Sequence, residues 1–195
     1  MKERPRRLRY HVAISLNGFI VPSDGKAGLM VHENIIFFDA LYAQCDTFVM
    51  GRKTYECILS MGEHNPLQKY SKESLVVASK TLKREHHPGV TIVSEDFIGY
   101  IANLKKSDGR DIWLMGGQLV GPCLDAGILD SVETAIMPMM LGKGARLVGE
   151  SGLAPLGGIR LELVDCREWE TSGIIMCKYN VGRQMAASLG EAMFC

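Results

Sequence analysis

Two stretches of the chain share one pattern, in which an apolar strand ends at glycine and a helix follows at once. The apolar run Thr47–Met50 stops at Gly51, before a predicted helix over Lys53–Met61. Asp111–Met115 is a second such run and ends at Gly116-Gly117. Short apolar strands without polar alternation are typical of parallel sheets covered by helices on both faces. The repeated pattern therefore predicts an α/β fold.

The remaining segments extend this architecture and then change its character. Strand and helix alternate up to the middle of the chain, whereas only strands are predicted after it. This order predicts a mostly parallel central sheet flanked by helices, with an antiparallel C-terminal hairpin, in a single domain over residues 1–195 with its core at about 9–181. The further predicted strands are Tyr10–Leu16, Ser74–Ala78, Val90–Val93, Val132–Pro138, Arg160–Cys166 and Gly173–Val181, and the further helices are Asn34–Ala43, Phe97–Lys106 and Gln118–Leu129.

Composition excludes several classes of protein. Lys+Arg and Asp+Glu both number 22, so no net charge draws the chain to nucleic acid or to an anionic membrane. The basic segment Lys2–Arg9 is expected to be a solvated tail, and no apolar run is long enough to span a membrane. The six cysteines form no CxxC and have no nearby histidine at metal-ligand spacing, which predicts no metal site and a reducing, cytoplasmic setting.

Both strand–glycine–helix turns are candidate anion sites. The first amides of a helix lack intrahelical partners and point toward a bound anion. Arg52, Lys53 and Thr54 would add charge and a hydroxyl at the first turn, and two adjacent glycines at the second allow close backbone approach. Two such sites on one sheet edge suit a dinucleotide, although neither stretch fits GxGxxG or GxxxxGK[ST]. Gly51 as a simple tight turn with solvated cations remains the alternative.

Two further stretches are less specific. Ala13–Ile20 carries the turn signal Asn17-Gly18, and Leu141–Arg146 is rich in glycine and cations. Each could be a strand-end turn without any further role.

Five motifs in order carry a resemblance to a known family. SLNGFI, VMGRKTYE, VVASK, DIWLMGG and IMPMMLGKGARLV, which lie between Tyr10 and Val181, resemble the dihydrofolate reductase-like superfamily. The nearest branch is that of the riboflavin-biosynthesis reductase domain and its stand-alone relatives. The resemblance implies an NADPH-dependent reductase that transfers hydride to a small heterocycle, a riboflavin-pathway pyrimidinone first and a pterin second. It also implies a homodimer formed through the C-terminal strands.

The resemblance assigns roles to individual positions. It implies backbone contacts to the nicotinamide carboxamide at Ala13 and Ile14, and a loop over the nicotinamide that begins at Asn17 and Gly18, with Asn17 counted as catalytic. It implies a cis peptide between Gly116 and Gly117. The implied phosphate-binding positions are Arg52, Ser79 and Lys80 for the 2′-phosphate, and Lys53, Thr54, Gly116, Gly117, Gln118 and Leu119 for the pyrophosphate. Gly51 is a further cofactor-binding position.

The chain also departs from the family pattern. The carboxylate that dihydrofolate reductases carry on the first helix falls near Ile35, so Glu33 is the candidate proton donor, with Asp39 a turn further on. Glu33 could equally be an acid that complements the helix dipole. The DDPxL-like segment of riboflavin-pathway enzymes is replaced by Glu56–Met61. An NADP(H)-binding module without catalysis is therefore the second interpretation, and a structural subunit of an oligomer the third.

Overall fold

The computed structural model describes residues 4–20, 40–149 and 158–184, and these contain one eight-stranded sheet. The strands are β1 Leu8–Ser15, β2 Cys45–Gly51, β3 Leu75–Ala78, β4 Thr91–Val93, β5 Asp111–Met115, β6 Ser131–Met137, β7 Ile159–Trp169 and β8 Ile174–Gln184. They stand in the spatial order β4-β3-β2-β5-β1-β6-β8-β7. β1 to β6 pair in parallel, whereas β8 pairs antiparallel with both β6 and β7. The mostly parallel sheet with an antiparallel C-terminal hairpin is thus confirmed.

Three α-helices have both ends within the described residues, each close to a predicted one, and residues 40–42 are helical as well. They are α1 Arg52–Ser60, α2 Phe97–Leu104 and α3 Val120–Asp125. The helix predicted over Gln118–Leu129 is shorter than expected, because its first turn is a 3₁₀ turn and Gly127 adopts φ +65° just beyond its end. Most of the helix predicted at Asn34–Ala43 lies outside the described residues. None of the described helices is long and apolar enough to span a membrane.

The sheet separates two apolar layers. On one face, Leu8, Tyr10, Val12 and Ile14 of β1 pack in the cluster that contains buried residues of α2 and α3. On the other face, a second cluster joins α1 to the aromatic side chains Phe48 and Trp113 of the sheet. The alternation along β1 follows from the two-residue period of a strand.

Arg9 points from β1 toward the second face and makes a buried ionic contact across the central strands. Its Nε and Nη2 atoms each donate to Glu133 of β6 at 2.8 Å, and its Nη1 atom lies 3.4 Å from Asp111 of β5. All three side chains are buried. Burial alone would raise the pKa of Glu133, but the Arg9 hydrogen bond and charge outweigh it and hold that pKa below its ordinary value.

The basic N-terminal segment is not the solvated tail that was predicted. Arg6 is buried and donates to the carbonyl oxygen of Arg110 at 2.7 Å and to Thr47 Oγ1 at 2.7 Å. Arg7 donates to Asn180 Oδ1 at 2.7 Å. The prediction was wrong because the groups that accept hydrogen bonds from these cations lie far away in the sequence. Buried acceptors of this kind require a donor, and the N-terminal arginines provide it.

Replacing Arg9 tests how far the sheet depends on this contact. Arg9→Met removes the buried cation that Glu133 and Asp111 share and leaves Glu133, of the described cations, only Lys178, at 3.6 Å, so the free energy of unfolding in urea should fall by about 3–5 kcal/mol. Arg4 also bonds Asp111, at 3.0 Å, but its side chain is 66% exposed. Arg4→Met is therefore the matched control and should change that free energy by less than about 1 kcal/mol. Equal effects of the two variants would contradict a special role for Arg9.

Candidate active site

The two strand–glycine–helix turns are neighbours at the carboxyl edge of the sheet. β2 and β5 pair in parallel up to Met50 and Met115, so both turns leave the sheet at the same level. Thr54 Oγ1 lies only 2.5 Å from the point that a Cβ on Gly116 would occupy. The predicted meeting of the two glycine turns is therefore observed.

Gly116 makes the second turn through its own backbone conformation. It adopts φ +85°, which residues with a side chain rarely do, and a Cβ would collide with Thr54. The expectation of a cis Gly116–Gly117 peptide is wrong for this structure, since the described residues contain no cis peptide bond. The positive φ of Gly116 turns the chain while the peptide stays trans.

The start of α1 has the features of an anion site. Its N-cap residue Gly51 supplies no side-chain hydrogen bond, and the first turn contains no acidic residue. No atom lies within 4 Å of the point where a Cβ on Gly51 would be, so the space above the turn is open. The first amides and the positive end of the helix dipole therefore face this space without a side-chain anion.

Cationic side chains surround the same edge. Arg52 and Lys53 are exposed on α1, and Lys80 is exposed after β3, whose Ala78 pairs with Gly51. Arg52 Nη1 donates to both carboxylate oxygens of Glu56, at 2.8 and 3.0 Å. An anion that engages Arg52 would thus compete with an exposed pair of the kind that contributes little stability.

Ser79 is already hydrogen-bonded within its own turn. Its hydroxyl accepts from the amides of Thr81 at 3.2 Å and Leu82 at 3.0 Å, and its amide donates to Val93 at 2.9 Å. The Ser79 and Thr81 hydroxyls lie 3.4 Å apart and either can donate to the other, so a ligand that accepts from Ser79 would compete with Thr81.

The carboxyl ends of β1 and β5 separate. Their pairing ends at Tyr10 and Leu114, whereas β1 continues beside β6 as far as Ser15. Ala13 and Ile14 therefore lie where the sheet opens, and Ile14 forms an isolated bridge with Ile20 from the following turn. Such a separation between parallel strands is where α/β sheets bind ligands.

Asn17 joins two loops at the open edge. Its Oδ1 accepts from the Leu141 amide at 3.1 Å, and its Nδ2 donates to the Leu141 carbonyl at 2.8 Å. Oδ1 also accepts from Ser15 Oγ at 2.8 Å. Gly18 adopts φ +81° in the same turn. The two stretches singled out as less specific in the sequence are thus in contact, and Asn17 holds them together; its catalytic role stays a prediction.

Segment 145–149 covers Gly117. The Gly149 amide donates to the Gly117 carbonyl at 2.9 Å, and a Cβ on Gly117 would collide with the Arg146 carbonyl oxygen. The side of Gly117 expected to approach a pyrophosphate is therefore occupied by backbone. Gln118 is exposed, whereas Leu119 is half-buried and its side chain packs against the core.

Sequence reasoning missed a polar row behind this edge. His11, Glu133 and Lys178 stand opposite one another on β1, β6 and β8. Burial lowers the pKa of His11 to about 4, so the imidazole is neutral at pH 7. The signal in the sequence was the pair Arg9 and His11 at alternate positions of an otherwise apolar strand. Glu33, Ile35 and Asp39 lie outside the described residues, and no His, Cys, Asp and Glu cluster suited to a metal occurs within those described.

Residues 6–174 match the model of the RibD C-terminal domain. The chain belongs to this family. A relative from Bacillus subtilis (strain 168), the uncharacterized protein YyaP, is 26% identical over 91% of this chain and 96% of its own length. Family membership and fold together indicate a reductase-type function.

Solved structures agree with this assignment at the level of the fold. A protein from Shewanella sp. PV-4 that is provisionally assigned to riboflavin biosynthesis superposes with a TM-score of 0.71 at 21% identity, over 91% of this chain and 99% of that one. Dihydrofolate reductase from Enterococcus faecalis, complexed with NADP(H) and RAB-propyl, gives 0.62 at 16% identity, over 90% and 96%. The RibD C-terminal chain therefore has the dihydrofolate reductase-like fold that the sequence predicted.

Substitution of Gly117 tests the contact with segment 145–149. Gly117→Ala should force that segment outward and lower the free energy of unfolding by about 1–3 kcal/mol. Gly142→Ala is the control, because no atom lies within 4 Å of its Cβ position; it should change that free energy by less than about 0.5 kcal/mol. An unfolding curve of Gly117→Ala that superposes on the wild-type curve would show that the segment does not pack there.

Proposed function

We propose that this protein is an NADPH-dependent reductase that transfers hydride to a polarised C=N bond of a small heterocycle. The proposal rests chiefly on the meeting of the α1 start and the Gly116 turn at one edge, beside exposed cations. Membership of the RibD C-terminal family supports it, as does a structural neighbour solved with NADP(H).

The residues at the edge fit a phosphorylated dinucleotide. The uncapped α1 start and the open space above Gly51 suit a phosphate group. Arg52 and Lys80 supply charge, and Ser79 a hydroxyl, from two adjacent strand ends, as a 2′-phosphate requires. NADPH would supply the hydride, and the chain's own part is to bind and orient the reactants at the gap between β1 and β5.

A riboflavin-pathway pyrimidinone is the proposed substrate, with a pterin as the second choice. The family name and the Shewanella neighbour favour the pyrimidinone. The experiment is to titrate the protein with NADPH by fluorescence and then follow NADPH oxidation with pyrimidinones and pterins. Turnover of either class supports the reductase, binding without turnover favours the cofactor-binding module, and absence of binding would refute both.

Arg52 should determine the preference for NADPH over NADH. Arg52→Ala removes a charge-assisted contact that only the 2′-phosphate can make, so the affinity for NADPH should fall about tenfold or more while that for NADH is nearly unchanged. Arg167→Ala is the matched control, because Arg167 is also exposed and paired with a nearby carboxylate, Asp165, but lies on β7. Equal weakening of both cofactors would remove Arg52 from the phosphate site.

Glu33 is the proposed source of the proton that accompanies hydride transfer, with His32 as its neighbour in the sequence. Glu33→Gln should lower kcat by roughly 10²-fold and leave NADPH affinity nearly unchanged, since general acid catalysis contributes that much. Asp39→Asn is measured in parallel, because a fall in kcat in that variant instead would assign the proton to Asp39. If kcat survives the Glu33 change, the proton comes from water or from another group.

A homodimer through the C-terminal strands is also proposed. Leu161, Leu163 and Ile175 lie on one face of the β7–β8 hairpin and are 40%, 60% and 40% exposed, a degree of apolar exposure that favours pairing with a second copy. Leu163→Lys should give a monomer by light scattering at micromolar concentration, whereas Leu59→Lys, on α1, should leave the dimer intact. A monomeric wild type would refute the proposal.

A further inference from the structure

Two cysteines face each other across the C-terminal hairpin. Cys166 of β7 is the direct partner of Cys177 of β8, and their Sγ atoms are 3.7 Å apart. Both thiols are free. The sequence, in which ten residues separate them and no CxxC is present, gave no indication of this proximity.

The backbone geometry suits a covalent link. Directly opposed residues of an antiparallel pair have Cα atoms about 4.5–5.5 Å apart, within the range that a disulfide requires. The sulfurs must approach to about 2 Å, and β7 can adjust because it is the edge strand and pairs only with β8 in the described sheet. We propose that Cys166 and Cys177 are a redox-active pair that forms a reversible cross-strand disulfide.

Exposure determines the order of the chemistry. Cys166 is exposed and Cys177 is buried, so a low-molecular-weight disulfide such as oxidised glutathione reaches Cys166 first. The Cys166 thiolate attacks one sulfur of the oxidant, forms a mixed disulfide and releases one thiolate. The Cys177 thiolate then attacks the Cys166 sulfur and releases the second. The pair loses two electrons and two protons, and the oxidant is reduced to two thiols.

The other described cysteines lack this arrangement. Burial raises the pKa values of Cys45 and Cys123 to about 12, which keeps both as thiols. Cys57 is exposed on α1 but has no cysteine opposite it among the described residues. The Cys166 thiol donates a hydrogen bond to Cys177 Sγ, which raises the pKa of Cys166, so its oxidation should accelerate as the pH rises above neutrality.

Peptide mapping tests the pair directly. Trypsin cleaves after Arg160, Arg167 and Lys178, so Cys166 and Cys177 fall in the separate peptides 161–167 and 168–178. The full chain carries Cys57→Ser and Cys195→Ser, so that Cys45 and Cys123, both buried, are the only cysteines left besides the pair. It is incubated with oxidised glutathione and then digested without reductant. The two peptides should be joined, and dithiothreitol should separate them. Cys177→Ser should instead retain glutathione on Cys166, because no second thiol can displace it.

The disulfide should also change the stability of the hairpin. Closing a short loop in the unfolded chain should raise Tm by about 5 °C on oxidation, and Cys166→Ser should abolish that shift. The Leu163→Lys variant is oxidised in parallel, because the proposed dimer interface could otherwise cover Cys166 and prevent its oxidation. A link in either protein supports the proposal. The proposal would be overturned if the two peptides stay separate in both proteins, or if the disulfide joins two different chains. Neither outcome depends on which reaction the protein catalyses.

Discussion

Arg9 joins the three central strands of the sheet through one guanidinium group. It extends from β1 to Glu133 of β6 and to Asp111 of β5, and all three charges are buried. A buried cation with two carboxylates is stable only where the geometry satisfies each group, so the contact favours one alignment of these strands over others. The pairing of β1 with β5 ends one residue beyond Arg9, so the contact fixes the two strands directly beside the candidate site.

Local patterns predicted the parts of the fold that local forces determine. The apolar runs ending at Gly51 and Gly116 became β2 and β5, and their turns met because parallel strands bring their carboxyl ends to one edge. The solvated tail predicted for the basic segment was wrong because its contacts are long-range. Arg9 and Glu133 are 124 residues apart, and no short-range pattern identifies such a partner. In the same way, the packing of segment 145–149 on Gly117 depends on contacts between distant loops.

The candidate site therefore divides into two halves of different character. The half around Gly51, Arg52 and Lys80 is open and cationic, and its residues were identified from the sequence. The half between β1 and β5 is crossed by the turn at Asn17–Ile20, which is fastened to Leu141 and to Arg146. A ligand that spans both halves would contact the exposed cations at one end and, at the other end, a surface whose shape depends on two loops. Substrate selectivity is thus expected to reside in the loop half.

The strand order has a consequence for how the chain is made. Of the eight described strands, β1 is synthesised first, yet it lies between β5 and β6, which are completed only at Met115 and Met137. It must remain without both neighbouring strands, and the Arg9 guanidinium without Asp111 and Glu133, while more than half of this chain is synthesised. Domains that are dominated by such long-range pairing fold slowly and expose unpaired strands in the meantime. Nascent chains that end before Glu133 should accordingly depend on a holding chaperone, whereas chains that extend past it can close the sheet themselves.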